Sequence, residues 1–293
     1  MTEDLKVFLN ESKQKIDERL PHFIEKLQAP ESLKESMNYS LKAGGKRLRP
    51  VLLLAVLEGF GKSSEKGIEA ACAIEMVHTY SLIHDDLPAM DDDDVRRGKP
   101  TNHKVFGEAA AILAGDALLT YSFELLSTLT EDPEIVVSLI AEFARAIGAE
   151  GMVGGQISDM EGENKDLSIA ELENIHHHKT GDLMVYSIVA GAILAGATEE
   201  DKTNLRKFGR ELGLLFQIKD DILDIEGDVA SIGKPVGSDA GNNKGTYPSI
   251  LGMQGAKERL EAHIDLAVTS LKKVDMDHTM LMELTKYVAN RNH

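Results

Sequence analysis

Apolar residues recur every three to four positions along most of the chain, which is the spacing of helices with one buried face. Over residues 2–27 they fall at Leu5, Phe8, Leu9, Ile16, Leu20, Phe23, Ile24 and Leu27. Pro30 separates this stretch from a second predicted helix over 32–42, which Gly44-Gly45 closes with glycine just past its C-terminus. Pro50 suits the first turn of a third, over 50–60. The next, over 65–86, is apolar on most faces, at Ile68, Ala71, Cys72, Ile74, Met76, Val77, Leu82 and Ile83, so it is expected to run through the middle of the fold. Pro88 ends it. Helical patterns then cover 107–127, 133–149, 151–161, 168–197, 198–226, 249–272 and 277–289, and Ser168-Ile-Ala-Glu171 is a capping box. Residues 227–248 carry no helical period, and no alternating stretch exceeds a few residues. The expectation is an all-α chain, residues 1–293 forming a single domain.

Composition narrows the function classes. The formal charge of −17 argues against a general nucleic-acid footprint. The single cysteine, Cys72, has no partner for an intramolecular disulfide and sits in an apolar run, as small core filler. The N-terminus lacks the apolar core of a signal peptide, and the run from Val51 to Leu57 is far too short to span a bilayer. A cytoplasmic protein is expected, with no membrane partner.

Two acidic clusters change the picture. Asp85, Asp86 and Asp91 follow the apolar helix and are followed at once by Arg96 and Arg97. A divalent cation bridging carboxylates to a phosphate ester, with arginines holding the phosphate, reconciles such neighbours. Far downstream, Asp220 and Asp224 lie four apart on a predicted helix, with Gln217 one turn earlier on the same face. Like charges at that spacing disfavour a helix, and the flanks are apolar, so a metal is the simplest neutraliser. Further cations stand at Lys46, Arg47, Arg49, Lys179, Lys234 and Lys244, none of them in a Walker loop. An EF-hand fails because the sixth position from Asp91 is Arg96 and not glycine. His176-His-His178 cannot chelate one ion, because adjacent helical residues point about 100° apart. His84-Asp85 lacks the further histidines of a phosphohydrolase of that type.

The motifs together resemble the all-trans polyprenyl diphosphate synthases over nearly the whole chain, with bacterial farnesyl-forming members the most similar in look. They are Gly44-Gly-Lys-Arg-Leu-Arg-Pro50, Asp85-Asp-Leu-Pro-Ala-Met-Asp91, Arg96-Arg97-Gly98, Gly155-Gln156-x-x-Asp159, Lys179-Thr180, Phe216-Gln217-x-x-Asp220-Asp221-x-x-Asp224, Gly233-Lys234 and Lys244-Gly-Thr-Tyr-Pro248. The resemblance implies a helical bundle around a deep central cavity, usually a homodimer. It implies a transferase that condenses isopentenyl diphosphate with dimethylallyl and geranyl diphosphate to farnesyl diphosphate. Lys46, Arg49, His78 and Arg97 would hold isopentenyl diphosphate. Arg96, Lys179, Lys234 and Lys244 would hold the allylic diphosphate, with Thr180 and Gln217 nearby. Asp85, Asp91 and Asp220 would carry three Mg2+, with Asp86 and Asp224 in support. Tyr80 and Ser81, just before the first acidic motif, would limit chain length, although a helical wheel alone puts Ser81 rather than Tyr80 nearer the Asp85 stripe. Tyr80, Met76, Phe216 and Val185 are the expected apolar lining. A geranylgeranyl-forming member and a non-catalytic subunit of a heteromeric synthase are the alternatives. A class I terpene cyclase would need a different second acidic motif.

Overall fold

The computed structural model describes residues 1–226 and 245–291. Helices α1 (Glu3–Lys26), α2 (Glu31–Leu41), α3 (Leu48–Gly59) and α4 (Ile68–Asp85) come first, a short 3-10 turn at Ser64–Gly67 leading into α4. A two-stranded antiparallel hairpin follows, β1 (Val95–Arg96) on β2 (Lys99–Pro100). Then come α5 (Asn102–Phe106), α6 (Glu108–Ser127), α7 (Pro133–Ile147), α8 (Met152–Gly162) and α9 (Ile169–His176). A π-helical turn at His177–Gly181 joins α9 to α10 (Asp182–Ala195), and α11 (Glu199–Glu226), α12 (Tyr247–Leu271) and α13 (Thr279–Asn290) complete the described chain. The all-α expectation holds, and the observed helices match the periodic stretches to within a few residues at most ends.

Local chemistry sets those ends. Thr2 caps α1 by accepting from Leu5 N–H, and the Ser168/Glu171 capping box opens α9 as the sequence implied. Thr246 and Ser249 form a second such box at the start of α12. The buried residues from α1 through α13 form one apolar cluster. Every residue of α10 from Leu183 to Leu194 is buried, so α10, like α4, has no solvent face. Gly191 lets α10 approach α3, since a Cβ there would lie 2.6 Å from the Leu53 carbonyl oxygen. Helix α6 is apolar and long enough to cross a bilayer by length and composition alone, but it packs against α4, α2, α5 and α7 within this bundle.

The predicted continuous helix over 168–197 is interrupted by the π turn. A Cβ on Gly155 of α8 would come 2.1 Å from the backbone nitrogen of Lys179, and one on Gly213 of α11 would come 3.0 Å from Gly181 Cα. The turn is thus pressed between two helix backbones that only glycine lets so near, a tertiary constraint that leaves no trace in hydrophobic period.

Candidate active site

The end of α4 splits its two aspartates. Asp86 turns inward, 3% exposed, and Arg96 donates to it from Nε and Nη2 at 2.6 Å. Arg96 also reaches Asp93 at 3.2 Å. Asp85 instead lines a cavity of about 430 Å3, together with Lys179 and Thr180. Burial pushes the Asp85 carboxyl up to about 6, with Asp91 and Asp86 adding to the rise and Lys179 opposing it. Asp91 is exposed at the loop, and its N–H donates to the Asp85 carbonyl at 2.9 Å. Lys179 donates to Asp159 at 2.6 Å, so the Gly155-Gln156-x-x-Asp159 stretch serves the lysine twice: Asp159 orients its side chain while Gly155 makes room for its backbone.

Arg49, His78, Lys46 and Arg97 surround a second cavity of about 350 Å3. Its loop has an unusual backbone: Gly44, Gly45 and Arg47 all have positive φ. A Cβ on Gly45 would fall 2.8 Å from the Arg97 guanidinium carbon, so glycine permits Arg97 to reach the loop, where it donates to the Gly44 carbonyl. Arg47 touches the same cavity, but its guanidinium is engaged by the protein itself. It is 4% exposed and bonds Asp17 at 2.8 Å, Glu75 at 2.6 Å and the Leu41 carbonyl at 2.6 Å, which holds its left-handed backbone in place. Arg49 donates to His78 Nε2 at 3.4 Å, and burial, followed by the nearby Arg49 and Arg97, keeps His78 well below its usual pKa and neutral. Arg49 and His78 line both cavities, which therefore meet at these two side chains. The buried Arg49 Nε and Gln156 Nε2 have no hydrogen-bond partner among the described residues.

The wall of the larger cavity differs from the expected one. Tyr80 and Ser81 both line it, so Tyr80 faces the cavity despite its less favourable place on the helical wheel. Met76 is wholly buried away from it, Val185 faces another pocket, and Phe216 belongs to the cationic cavity. Met90, Met152, Val153, Ile157 and Met160 supply the apolar surface instead, most of it from α8.

On α11, Asp220 pairs with Arg291 at 2.6 Å, and the same arginine lies 3.9 Å over the Phe216 ring and donates to its carbonyl at 2.9 Å. Asp220 also acts electrostatically on Lys46 and Arg49, which ties this arm to the cationic cavity. Asp221 is buried and accepts from the Tyr247 backbone N–H at 2.9 Å. Gln217 is half-buried one turn before, and Asp224 follows on the same helix. Lys234 and Lys244 lie outside the described residues. The three adjacent histidines diverge as anticipated: His176 stacks on Tyr247, and His178 pairs with Asp182 at 2.8 Å. Among the described residues one group of donors lies within 4.8 Å of one another, Asp92, Asp94 and His103, with Lys104 on Asp94 at 2.6 Å. Arg291 and the α8 wall are not evident as site elements from the residues alone; Gln156 and Asp159 are visible in a motif that by itself assigns them no role.

The carboxylates at Asp85, Asp91 and Asp220, all oxygen donors, suit a hard divalent cation. A cationic cavity that shares Arg49 and His78 with an apolar one suits a ligand with an anionic head and a hydrocarbon tail. Known proteins point the same way. The sequence profile described as "Polyprenyl synthetase" matches residues 30–281. A farnesyl diphosphate synthase of Geobacillus stearothermophilus is 55% identical over 98% of this chain and 97% of its own. One from Bacillus subtilis strain 168 is 54% identical over the full length of both. The solved apo structure of an FPP/GFPP synthase from Zymomonas mobilis superposes with a TM-score of 0.88 at 36% identity, covering 99% of this chain and 100% of that one. A geranylgeranyl pyrophosphate synthetase of the archaeon Geoglobus acetivorans follows at a TM-score of 0.87 and 33% identity, covering 99% and 100%. With its fold, its motif order and the match across most of its length in agreement, this chain belongs to the polyprenyl synthetase family.

Proposed function

We propose that the protein is a farnesyl diphosphate synthase, which joins isopentenyl diphosphate head-to-tail to dimethylallyl and then geranyl diphosphate. The observation that carries this reading is that the cationic and apolar cavities share Arg49 and His78, while Asp85 and Lys179 line the apolar one. Lys46, Arg49, His78 and Arg97 hold the isopentenyl diphosphate. Lys179, Arg96, Lys234 and Lys244 hold the allylic diphosphate, with Thr180, Gln217 and Gln156 as further contacts. For this Arg96 has to share itself between Asp86 and the substrate.

Three Mg2+ held by Asp85, Asp91 and Asp220, with Asp86 and Asp224 in support, would draw charge from the leaving diphosphate. Lys179, kept in place by Asp159, stabilises the negative charge that develops as the allylic C–O bond ionises. The α8 wall keeps water from the resulting cation. The isopentenyl double bond, presented by the Arg49 pocket, then attacks to form the new C–C bond. A proton leaves the adduct to the released diphosphate, which regenerates an allylic diphosphate longer by one isoprene unit.

This reading also takes the chain as a cytoplasmic homodimer of one-domain subunits. Ile112 and Leu113, exposed on α6, support an apolar face that a second copy would cover, and light scattering in solution tests it. The decisive experiment incubates the protein with Mg2+, dimethylallyl diphosphate and labelled isopentenyl diphosphate and separates the products. Fifteen-carbon product is expected, and Tyr80→Ala should lengthen it. Twenty-carbon product from the unaltered protein would assign it to the geranylgeranyl-forming members, and no product would leave a non-catalytic subunit.

A further inference from the structure

His84 has no part in the proposed mechanism, yet it lines the same cavity as Tyr80, Ser81 and Asp85. Its imidazole is wedged on two sides. On one, it stands edge-on to the Tyr80 ring, with centroids 5.6 Å apart and planes at 80°. Tyr80 and His84 are four residues apart on α4 and so share a face. On the other side it meets the backbone of α6. His84 Nε2 lies 3.1 Å from the Ile112 carbonyl oxygen, which fixes the ring's direction. A Cβ placed on Gly115 of α6 would come 2.2 Å from Nε2, 2.6 Å from Cδ2 and 2.9 Å from Cε1. Any side chain at 115 would therefore displace the ring from its place against α6. Gly115 is buried in the α4–α6 contact, so α6 itself has little freedom to retreat.

We propose that Gly115, His84 and Tyr80 act as one stack that sets the depth of the hydrocarbon cavity, with His84 the positioning residue that stops Tyr80 from swinging towards α6 and Gly115 the residue that decides where His84 sits. The inference rests on the prenyl-transfer reading of the cavity. Product length is then controlled from α6, a helix that carries none of the acidic or basic motifs.

The test is the product-length distribution from dimethylallyl and labelled isopentenyl diphosphate, read as a ratio of products so that total turnover drops out. His84→Ala opens space beneath Tyr80 and should raise the fraction of products beyond the unaltered enzyme's severalfold. Gly115→Ala pushes the ring into the cavity and should raise the shorter fraction severalfold. Combining the two removes the displaced ring and should cancel the shortening, which general damage to packing would not do. Should Gly115→Ala fail to fold, His84→Ala, which introduces no clash, decides alone. If His84→Ala leaves the distribution unchanged while Tyr80→Ala lengthens it, the stack has no role and the functional reading stands. If the unaltered protein consumes no allylic diphosphate, it is the functional reading that falls.

Discussion

Asp85-Asp86 at the end of α4 and Asp220-Asp221 on α11 are the same dipeptide in two settings. In each, one carboxylate is half-exposed, Asp85 lining the larger cavity and Asp220 pairing with Arg291, and its neighbour, about 100° around the helix, turns in to hold backbone or side chain that arrives later in the chain. The ties differ in reach. Asp86 grips Arg96, ten residues on, so the first arm is closed by its own hairpin. Asp221 grips the N–H of Tyr247, 26 residues on, and Asp220 holds Arg291, 71 residues on. The first arm is thus built locally, whereas the second depends on distant parts of the chain coming back to it. A local clamp is set within its own segment, while the remote one needs Tyr247 and Arg291 in place.

The strongest test of this symmetry of roles removes the outward carboxylates. Asp85→Ala, Asp91→Ala and Asp220→Ala should each lower turnover by about a thousandfold or more with the fold retained by circular dichroism, since stabilising the charge on the leaving group supplies most of the rate in such chemistry. If Asp220→Ala stayed within tenfold of the unaltered protein at saturating Mg2+, the two arms would not be equivalent.

Removing the inward carboxylates should separate the arms. Asp86→Ala leaves Arg96 half-buried without its main partner and should destabilise the protein by about 3 kcal/mol. Asp221→Ala leaves one backbone N–H without its acceptor and should be milder, about 1–2 kcal/mol. Urea unfolding midpoints measure both; the reverse order would show that the remote tie, not the local one, carries the stability.

Much of this is legible in the residues. Helix positions follow from period, caps and proline, because those are local signals, and the motif carboxylates and cations are visible as clusters. What is not legible depends on contacts between segments far apart. Lys46, Arg47 and Arg49 look alike in sequence, and only the structure shows that Arg47, which lines the same cavity, is held by Asp17, Glu75 and the Leu41 carbonyl. The π turn at His177–Gly181 has no signature of its own, since it reflects Gly155 and Gly213 pressing from either side. The α8 wall is hidden for the same reason: Val153, Ile157 and Met160 read as an ordinary apolar stripe until α8 is seen against the turn that carries Lys179.

The first arm also carries a carboxyl that holds its proton more tightly than usual. Burial raises the Asp85 carboxyl from 3.8 to about 6, so the folded protein without metal binds this proton more tightly than the unfolded chain. Stability contributed by the neutral form is present below pH 4 and falls as pH rises between about 4 and 6. Above pH 6 the ionised, cavity-facing Asp85 is a strain that Lys179 only partly relieves. Asp85→Asn should therefore stabilise the protein, stripped of metal, by on the order of 2 kcal/mol at pH 7.5 while abolishing turnover, and the gain should vanish near pH 4. Mg2+ binding by the unaltered protein should weaken as pH falls below about 6, because the ligand must be deprotonated. Calorimetric titration at pH 5.5 and 7.5 measures that loss, and a pH-independent affinity would remove Asp85 from the metal set.

The smallest expected effect concerns Arg291, and it bears most directly on whether the second arm answers to the chain's end. Its guanidinium pairs with Asp220 while its plane rests on Phe216. A divalent cation at Asp220 and the Arg291 contact would draw on the same carboxylate, so each should weaken the other. Arg291→Met keeps most of the packing on Phe216 and removes the competing charge. Because the Asp220 side chain is 44% exposed, solvent screens the pair, and the expected gain is modest: about threefold tighter Mn2+ binding by electron paramagnetic resonance, or ~0.7 kcal/mol. The gain should persist in an Asp85→Ala background, where the first arm cannot contribute. Binding that is unchanged or weaker in Arg291→Met would mean that the arginine supports Asp220 rather than competing for it, and the second arm would then be as firmly set as the first.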